Sequence, residues 1–203
     1  MVAVNGILLA GGKSKRMGQD KLSMPLANKP LIEHAIERIR PHVAKLYVIC
    51  NDVPKYKYLA STYQVELIKD IFPGSGPLGG IYTGLDYSDL LCNFVAAADM
   101  PFMDWQPVEL LLQHVSDCDG VVPLDELGFY EPLFAIYQKS CLTAIKSQLD
   151  TGDYKISRFY PQVKICFLQD VHFRHNDKIF FNVNTQADYL QLQAIVKEHK
   201  HEH

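Results

Sequence analysis

Ile7-Leu8-Leu9-Ala10-Gly11-Gly12-Lys13-Ser14-Lys15-Arg16-Met17-Gly18-Gln19-Asp20-Lys21 is the stretch from which the chain is best read. Four apolar residues, Ile7 to Ala10, run without a break into paired glycines. That pattern is a buried strand feeding a loop. A loop without side chains lets a ligand press against backbone N–H groups, and cations beside it suit phosphate. An ordinary surface turn with solvated lysines also accounts for two glycines, so the pair alone is weak. Four cations (Lys13, Lys15, Arg16, Lys21) within nine residues at the exit of the first strand tip the reading toward an anion site.

Moving outward, the same strand-then-polar-turn arrangement recurs. Leu46 to Cys50 is an apolar run that ends at Asn51-Asp52, either a ligand contact or an Asx turn. Val65 to Lys69 closes on Asp70. Residues 72–80, Phe-Pro-Gly-Ser-Gly-Pro-Leu-Gly-Gly, are the most Gly/Pro-rich stretch and read as a ligand-shaping loop, with a helix starting at Ile81. Asn93 to Ala98 ends on Asp99, which is either a cap for the next helix or a metal ligand. Helical spacing marks Leu31 to Ile39 behind Pro30, a short helix at 54–62, then Trp105 to Val115 and Ser140 to Leu149. Gly120–Leu124 and Glu131–Tyr137 are two strands too close together for a helical crossover, so one antiparallel element is expected. Gly152 to Tyr160 reads as a loop plus helix, and Val163 to Leu168 as a strand. Thr185 is placed to cap a last helix.

Strands and helices alternate, which predicts a Rossmann-like three-layer α/β/α fold with a mostly parallel sheet and one antiparallel element. Its 203 residues suit one domain, taken as residues 1–197, with a solvated tail at 198–203. The tail's alternating histidines would bind metal only weakly. A net charge of −3 argues against nucleic acid or an anionic membrane as partner. Five widely spaced cysteines without a C-x-x-C pair indicate neither a zinc site nor a disulfide framework. Cys50, Cys92 and Cys166 sit in apolar runs and read as core thiols, so a reducing, cytoplasmic location is expected. The sequence shows neither a leader pattern nor an apolar run long enough to span a membrane.

Gly11-Gly12, Asn51, Asp70, the 74–80 loop and Asp99 each close a predicted strand. In an open parallel sheet those ends share one edge, and ligands bind there. Backbone donors with Arg16 and Lys21 would hold a triphosphate. Asp99 would hold Mg²⁺, which takes one or two carboxylates and leaves its other positions to phosphates and water. The P-loop and the G-x-G-x-x-G pattern are both absent, and there is no Ser-His-Asp or Cys-His arrangement.

Leu9-Ala10-Gly11-Gly12-x-Ser14-x-Arg16-Met17-Gly18-x-Asp20-Lys21 resembles the signature of the nucleotidyltransferases related to the sugar-nucleotide pyrophosphorylases. Its detailed form is similar to the molybdenum cofactor guanylyltransferases, the MobA family. Gly76-Pro77-Leu78-Gly79-Gly80-Ile81 resembles that family's second loop, Ala98-Asp99-Met100-Pro101-Phe102 its metal-carboxylate motif, and Phe181-Asn182-Val183-Asn184-Thr185 its C-terminal motif. One departure is the single residue, Gln19, between Gly18 and Asp20, where some members carry one more.

The resemblance implies a nucleotide-diphospho-sugar transferase-like fold and guanylyl transfer from GTP to Mo-molybdopterin, with pyrophosphate released. The pterin's own terminal phosphate attacks the α-phosphorus, so no protein nucleophile is needed. Arg16, Lys21 and Asp99 are then the catalytic set, and Mg²⁺ the cofactor, held by Asp99. Leu9, Ala10, Gly11 and Gly12 lie along the nucleotide. Lys21 meets its outer phosphates. Asn51, Asp70, Gly76, Pro77, Leu78 and Gly79 shape the guanosine pocket. Asn182 and Asn184 stand near the reacting phosphates and the pterin. Lys155 and Arg158 would grip the second anion, or are simply solvated. GTP and Mo-molybdopterin are the small-molecule partners; enzymes that make or receive the molybdenum cofactor are the protein ones.

Gly12 argues for a purine, because the related cytidylyltransferases resemble Leu-Ala-Ala-Gly at this point and a missing Cβ leaves more room. Two alternatives stay open. One is a cytidylyl- or sugar-phosphate nucleotidyltransferase; the other is a nucleotide-binding cofactor chaperone without chemistry.

Overall fold

The computed structural model describes residues 2–11, 20–125, 127–169 and 178–201. The chain passes through β1 (Asn5–Leu9), a small hairpin of β2 (Pro25–Leu26) and β3 (Lys29–Pro30), α1 (Leu31–Ile39), β4 (Leu46–Cys50) and α2 (Val53–Tyr63). Next come β5 (Glu66–Lys69), α3 (Gly76–Tyr87), β6 (Cys92–Ala97), α4 (Gln106–Gln113) and β7 (Gly120–Pro123). Last are β8 (Phe134–Gln138), α5 (Leu142–Asp150), β9 (Ile165–Leu168) and α6 (Gln186–His201). Short 3₁₀ turns at Ile156–Arg158 and Tyr160–Gln162 stand where a loop plus helix is expected.

Seven strands form one sheet in the order β5-β4-β1-β6-β8-β7-β9. Only β8 runs against its neighbours, pairing antiparallel with both β6 and β7. This is the expected antiparallel element. Every residue of β1, β4 and β6 is buried, as strands covered on both faces must be. One face packs on α1, α2 and α4 through Ile32, Ile36, Tyr56, Leu59, Val108 and Leu111. The other packs on α3 and α5 through Leu78, Ile81, Leu85, Ile145 and Leu149. Helices on both faces of a mostly parallel sheet give the three-layer architecture the sequence predicts. Among the described residues, no helix is long and apolar enough to cross a membrane.

Two local expectations are corrected. The 72–80 stretch is not loop throughout, because α3 already begins at Gly76. Pro77 sits in the first turn, where a helix tolerates proline. Gly80 of that stretch, and Gly84 beyond it, serve packing instead. A Cβ on Gly84 would lie 2.4 Å from Ile7 Cγ2, and one on Gly80 would lie 3.0 Å from Leu9 Cδ2. One helical turn apart, they let α3 lie close on β1. Gly84→Val is therefore expected to overpack a fully buried site and to cost about 1–3 kcal/mol. Denaturant unfolding should show a lower midpoint with an unchanged slope.

Cysteine is the second correction. Cys118 and Cys166 form a disulfide, with Cα atoms 6.0 Å apart, so Cys166 is not a free thiol. The pairing follows from the sheet. Parallel register sets Cys166 beside Val121, which brings β9 next to the residue three positions before. A separation of 48 residues carries no spacing signal that would announce it. Cys50, Cys92 and Cys141 are free and buried. Burial pushes their thiols up to about 11, 12 and 12, so they are unreactive at neutral pH.

Candidate active site

The chain runs from β1 to β4 and β5 on one side, then returns to β6 on the other. That makes the β1–β6 boundary the point where strand order reverses, and ligands bind in the crevice there. The strand ends are knitted together at that edge. Ala98 N–H donates to the Leu9 carbonyl (3.1 Å), Ala10 N–H to Ile49 (2.8 Å), and Asp70 N–H to Cys50 (3.1 Å). Leu9, Ala10, Gly11, Asn51, Asp70 and Asp99 thus share one edge, as the sequence predicts. Gly12 and Arg16 lie outside the described residues.

Lys21 is the centre of the site. Its ammonium forms an ion pair with the Asp99 carboxylate and donates to Asn184 Oδ1 at 3.2 Å. The two charged side chains are 19% and 13% exposed, so they meet in a recess rather than on open surface. Three distant segments build this contact. Asp20, just before Lys21, accepts from Ser23 Oγ (2.6 Å), from the Tyr56 hydroxyl (3.3 Å) and from the Lys55 ammonium. Burial opposes the charged form of Asp20, but Lys55 and Ser23 outweigh it and hold the carboxyl below its usual range. The backbone under Lys21 is therefore anchored on α2.

The third segment arrives through the C-terminal motif. Val183 N–H donates to the Asp99 carbonyl at 3.1 Å. Thr185 caps α6: Asp188 N–H donates to Thr185 Oγ1 (3.2 Å), while Asp188 Oδ2 accepts from Asn184 N–H (2.8 Å) and Thr185 N–H (2.7 Å). Those backbone donors, Asn184 first, hold the Asp188 carboxyl below its usual range. The spacing Thr185-x-x-Asp188 is a capping-box signal that the sequence carried and that sequence reasoning had not used beyond Thr185. Tyr189 then bonds the Pro25 carbonyl, and Val183, Tyr189 and Leu192 pack on Leu26 and Leu31. So α6 fastens Asn184 to the hairpin that directly follows the turn carrying Lys21. That hairpin turns through Ala27 and Asn28, both at positive φ (48° and 72°), a two-residue turn matched to strand twist.

The other predicted site residues divide by what they touch. Asn51 is exposed beside Gly11, whereas Asp52 caps α2 by accepting from Lys55 N–H at 3.3 Å. The turn reading is thus realised at Asp52, and Asn51 is left exposed at the strand end. Asp70 is buried, and its Oδ1 accepts from Phe72 N–H (2.9 Å) and from Thr83 Oγ1 (2.9 Å). It ties the end of β5 to α3. Gly76 and Pro77 are exposed at the N-terminus of α3. Leu78 is fully buried in the core, and Gly79 packs on the Phe72 carbonyl, so neither offers a side chain to a ligand. Asn182 donates to the Phe180 carbonyl at 2.9 Å. Lys155 and Arg158 are exposed, and Arg158 pairs with Asp153 at 3.3 Å. Among the described residues, no contact joins either to Lys21 or Asp99.

One further carboxyl stands at this edge. Glu131 precedes β8, where Leu133 accepts from Ala97 N–H at 3.2 Å, and its own N–H donates to Pro123. Burial first, and Asp125 second, push it up to about 7. Nothing in the sequence around it had marked it.

With this geometry in hand, comparison with known proteins is informative. Residues 6–165 match the family described as "MobA-like NTP transferase domain". A protein of Carboxydothermus hydrogenoformans, named "Probable molybdenum cofactor guanylyltransferase", is 36% identical over 191 residues, covering 93% of this chain and 94% of that one. The "Molybdenum cofactor guanylyltransferase" of Vibrio parahaemolyticus is 32% identical over 188 residues, covering 92% and 93%. Among solved structures, molybdopterin-guanine dinucleotide biosynthesis protein A from Archaeoglobus fulgidus superposes with a TM-score of 0.82 at 28% identity, covering 96% of this chain and 99% of that one.

Proposed function

Because the chain belongs to the MobA-like NTP transferase family, we propose that it is a molybdenum cofactor guanylyltransferase, which transfers GMP from GTP to Mo-molybdopterin and releases pyrophosphate. The observation that carries this reading is the convergence of Lys21, Asp99 and Asn184 at the point where strand order reverses. A triphosphate there meets a cation, a carboxylate able to hold a metal, and an amide.

The donor set suits Mg²⁺. Among the described residues, no group of three or more His, Cys, Asp or Glu could cage a metal. A single carboxylate, Asp99, is what Mg²⁺ needs when phosphates and water fill its remaining positions. Bound there, Mg²⁺ would neutralise charge where two anionic substrates meet.

The chain's own residues do the rest by position and charge. The acceptor's terminal phosphate oxygen forms a bond to the α-phosphorus as the α–β bridge breaks. Lys21, steadied by the anchored Asp20, takes up the negative charge that accumulates on the leaving pyrophosphate, and Arg16 shares that task. Asn184 and Asn182 orient the incoming phosphate. The N-terminus of α3, with Gly76 and Pro77, borders the guanosine, and Asn51 lies against Gly11. A Cβ on Gly11 would make only an ordinary contact with Asn51 Nδ2 at 3.6 Å, so packing within the protein does not demand glycine there. Close approach of the nucleotide does.

Pyrophosphate release measured with GTP, CTP and UTP beside Mo-molybdopterin tests the assignment. GTP is expected to support turnover at least ~10-fold better than either pyrimidine, the lower range of what one well-matched pocket discriminates. Turnover with CTP but not GTP sinks the guanylyl assignment.

A further inference from the structure

Lys21 has two employers. In the ligand-free chain its ammonium neutralises Asp99 and bonds Asn184. In the reaction proposed above, on which this inference rests, the same ammonium serves phosphate oxygens while Asp99 serves the metal. We infer that Lys21 is the placeholder cation of the metal position: it occupies Asp99 until the nucleotide draws it away, so that metal and nucleotide can bind tightly only together.

The argument is one of conserved charge contacts. A divalent ion arriving alone must break the Lys21–Asp99 pair in a recess where both groups are mostly shielded, and the displaced ammonium gains nothing in return. A nucleotide arriving alone draws Lys21 off and leaves the Asp99 carboxylate facing phosphate of the same sign. When both arrive, one ion pair is lost and two are made. Lys21 moves to phosphate and Asp99 to metal. Each ligand therefore favours the arrangement that the other needs, which is a coupling between sites and must be reciprocal.

The anchoring on either side of Lys21 makes the exchange local. Asp20 stays fixed by Ser23, Tyr56 and Lys55, and the Asn184 backbone stays fixed by Asp188. Only the four-carbon stem of Lys21 has to swing, a rotamer change rather than a movement of the hairpin. The device also guards the site, because a lone divalent ion finds its carboxylate already paired.

Mn²⁺ titration followed by the electron paramagnetic resonance of the free ion tests this, on wild-type protein, Lys21→Met, Lys21→Arg and Asp99→Asn. A GTP analogue with a methylene between its α- and β-phosphorus supplies the uncleaved nucleotide. Lys21→Met removes the charge at similar length, and is expected to bind Mn²⁺ alone about tenfold tighter than wild type, within the span usual for such couplings. Lys21→Arg keeps a cation beside Asp99 and should stay as weak as wild type. At saturating analogue, Mn²⁺ affinity should rise about 5- to 150-fold in wild type and much less in Lys21→Met. Equal Mn²⁺ affinity of wild type and Lys21→Met without nucleotide overturns the exchange. Asp99→Asn separates the two levels. If it leaves Mn²⁺ binding in the nucleotide complex intact, the metal role of Asp99 itself fails. If it abolishes that binding while Lys21→Met behaves as wild type, the metal role stands and only the placeholder fails.

Discussion

Asp99→Ala is expected to lower the turnover rate by about 10²–10³-fold or more, the scale on which loss of one preorganised charge contact is felt in a transition state. The size follows from what is left behind. With Asp99 gone, the carboxylate paired with Lys21 is lost, and with it the protein ligand proposed for the metal. Two anions must then approach each other with that charge poorly screened. The fold should be unaffected, because the Asp99 backbone, not its side chain, accepts from Val183, and Lys21 keeps its bond to Asn184. GTP binding should weaken but persist, since the α3 N-terminus and the Gly11 region are untouched. Steady-state kinetics beside a nucleotide titration and near-UV circular dichroism would separate these effects. Unchanged turnover in a folded Asp99→Ala protein refutes the metal role.

Lys21→Ala is the second large effect, expected to reduce turnover by at least ~10-fold and up to ~10²-fold. The loss belongs mainly in kcat, because the charge that Lys21 meets is greatest when the α–β bridge is breaking, and an interaction felt only in the transition state lowers kcat rather than raising KM. A modest loss of stability is expected, because Asp99 is left unpaired in its recess, while the pair Lys55–Asp20, which holds the segment in place, remains. Lys21→Arg should recover part of the rate, as a cation of different shape. A wild-type rate in Lys21→Ala would mean that the cations of residues 13–21 are only surface charge.

Much of the fold was legible because its signals are local. A parallel strand covered on both faces reads as a nearly continuous apolar run, and β1, β4 and β6 do so apart from the buried Asn5 and Asn93. Helix α1 announces itself by Leu31, Ile32, Ala35, Ile36 and Ile39, all buried, at helical spacing. The antiparallel element could be deduced from a connection too short for a helix. Local composition misled in one place. Gly76 to Gly80 look like loop residues, yet they open α3: Gly76 uses glycine's backbone freedom at φ +61°, while Gly80, like Gly84 a turn later, lacks the Cβ that would crowd β1. A glycine-rich stretch has two physical explanations, freedom of backbone and closeness of approach, and the residues alone do not distinguish them. Of the expected pocket residues, Leu78 and Gly79 are buried, while Gly76 and Pro77 are accessible.

By itself, then, the sequence marked candidate residues for chemistry and showed that Gly11, Asn51, Asp70 and Asp99 follow strands of one sheet. Periodicity and motif spacing are properties of neighbours in the chain. Only the tertiary structure decided which of those residues touch. Lys21 reaches Asp99 across 78 residues and Asn184 across 163. Cys118 reaches Cys166 across 48. Those contacts depend on strand order, on parallel register between β7 and β9, and on α6 packing back onto the hairpin. Burial of apolar surface drives all three, and the polar contacts at the site are set by where that burial leaves them.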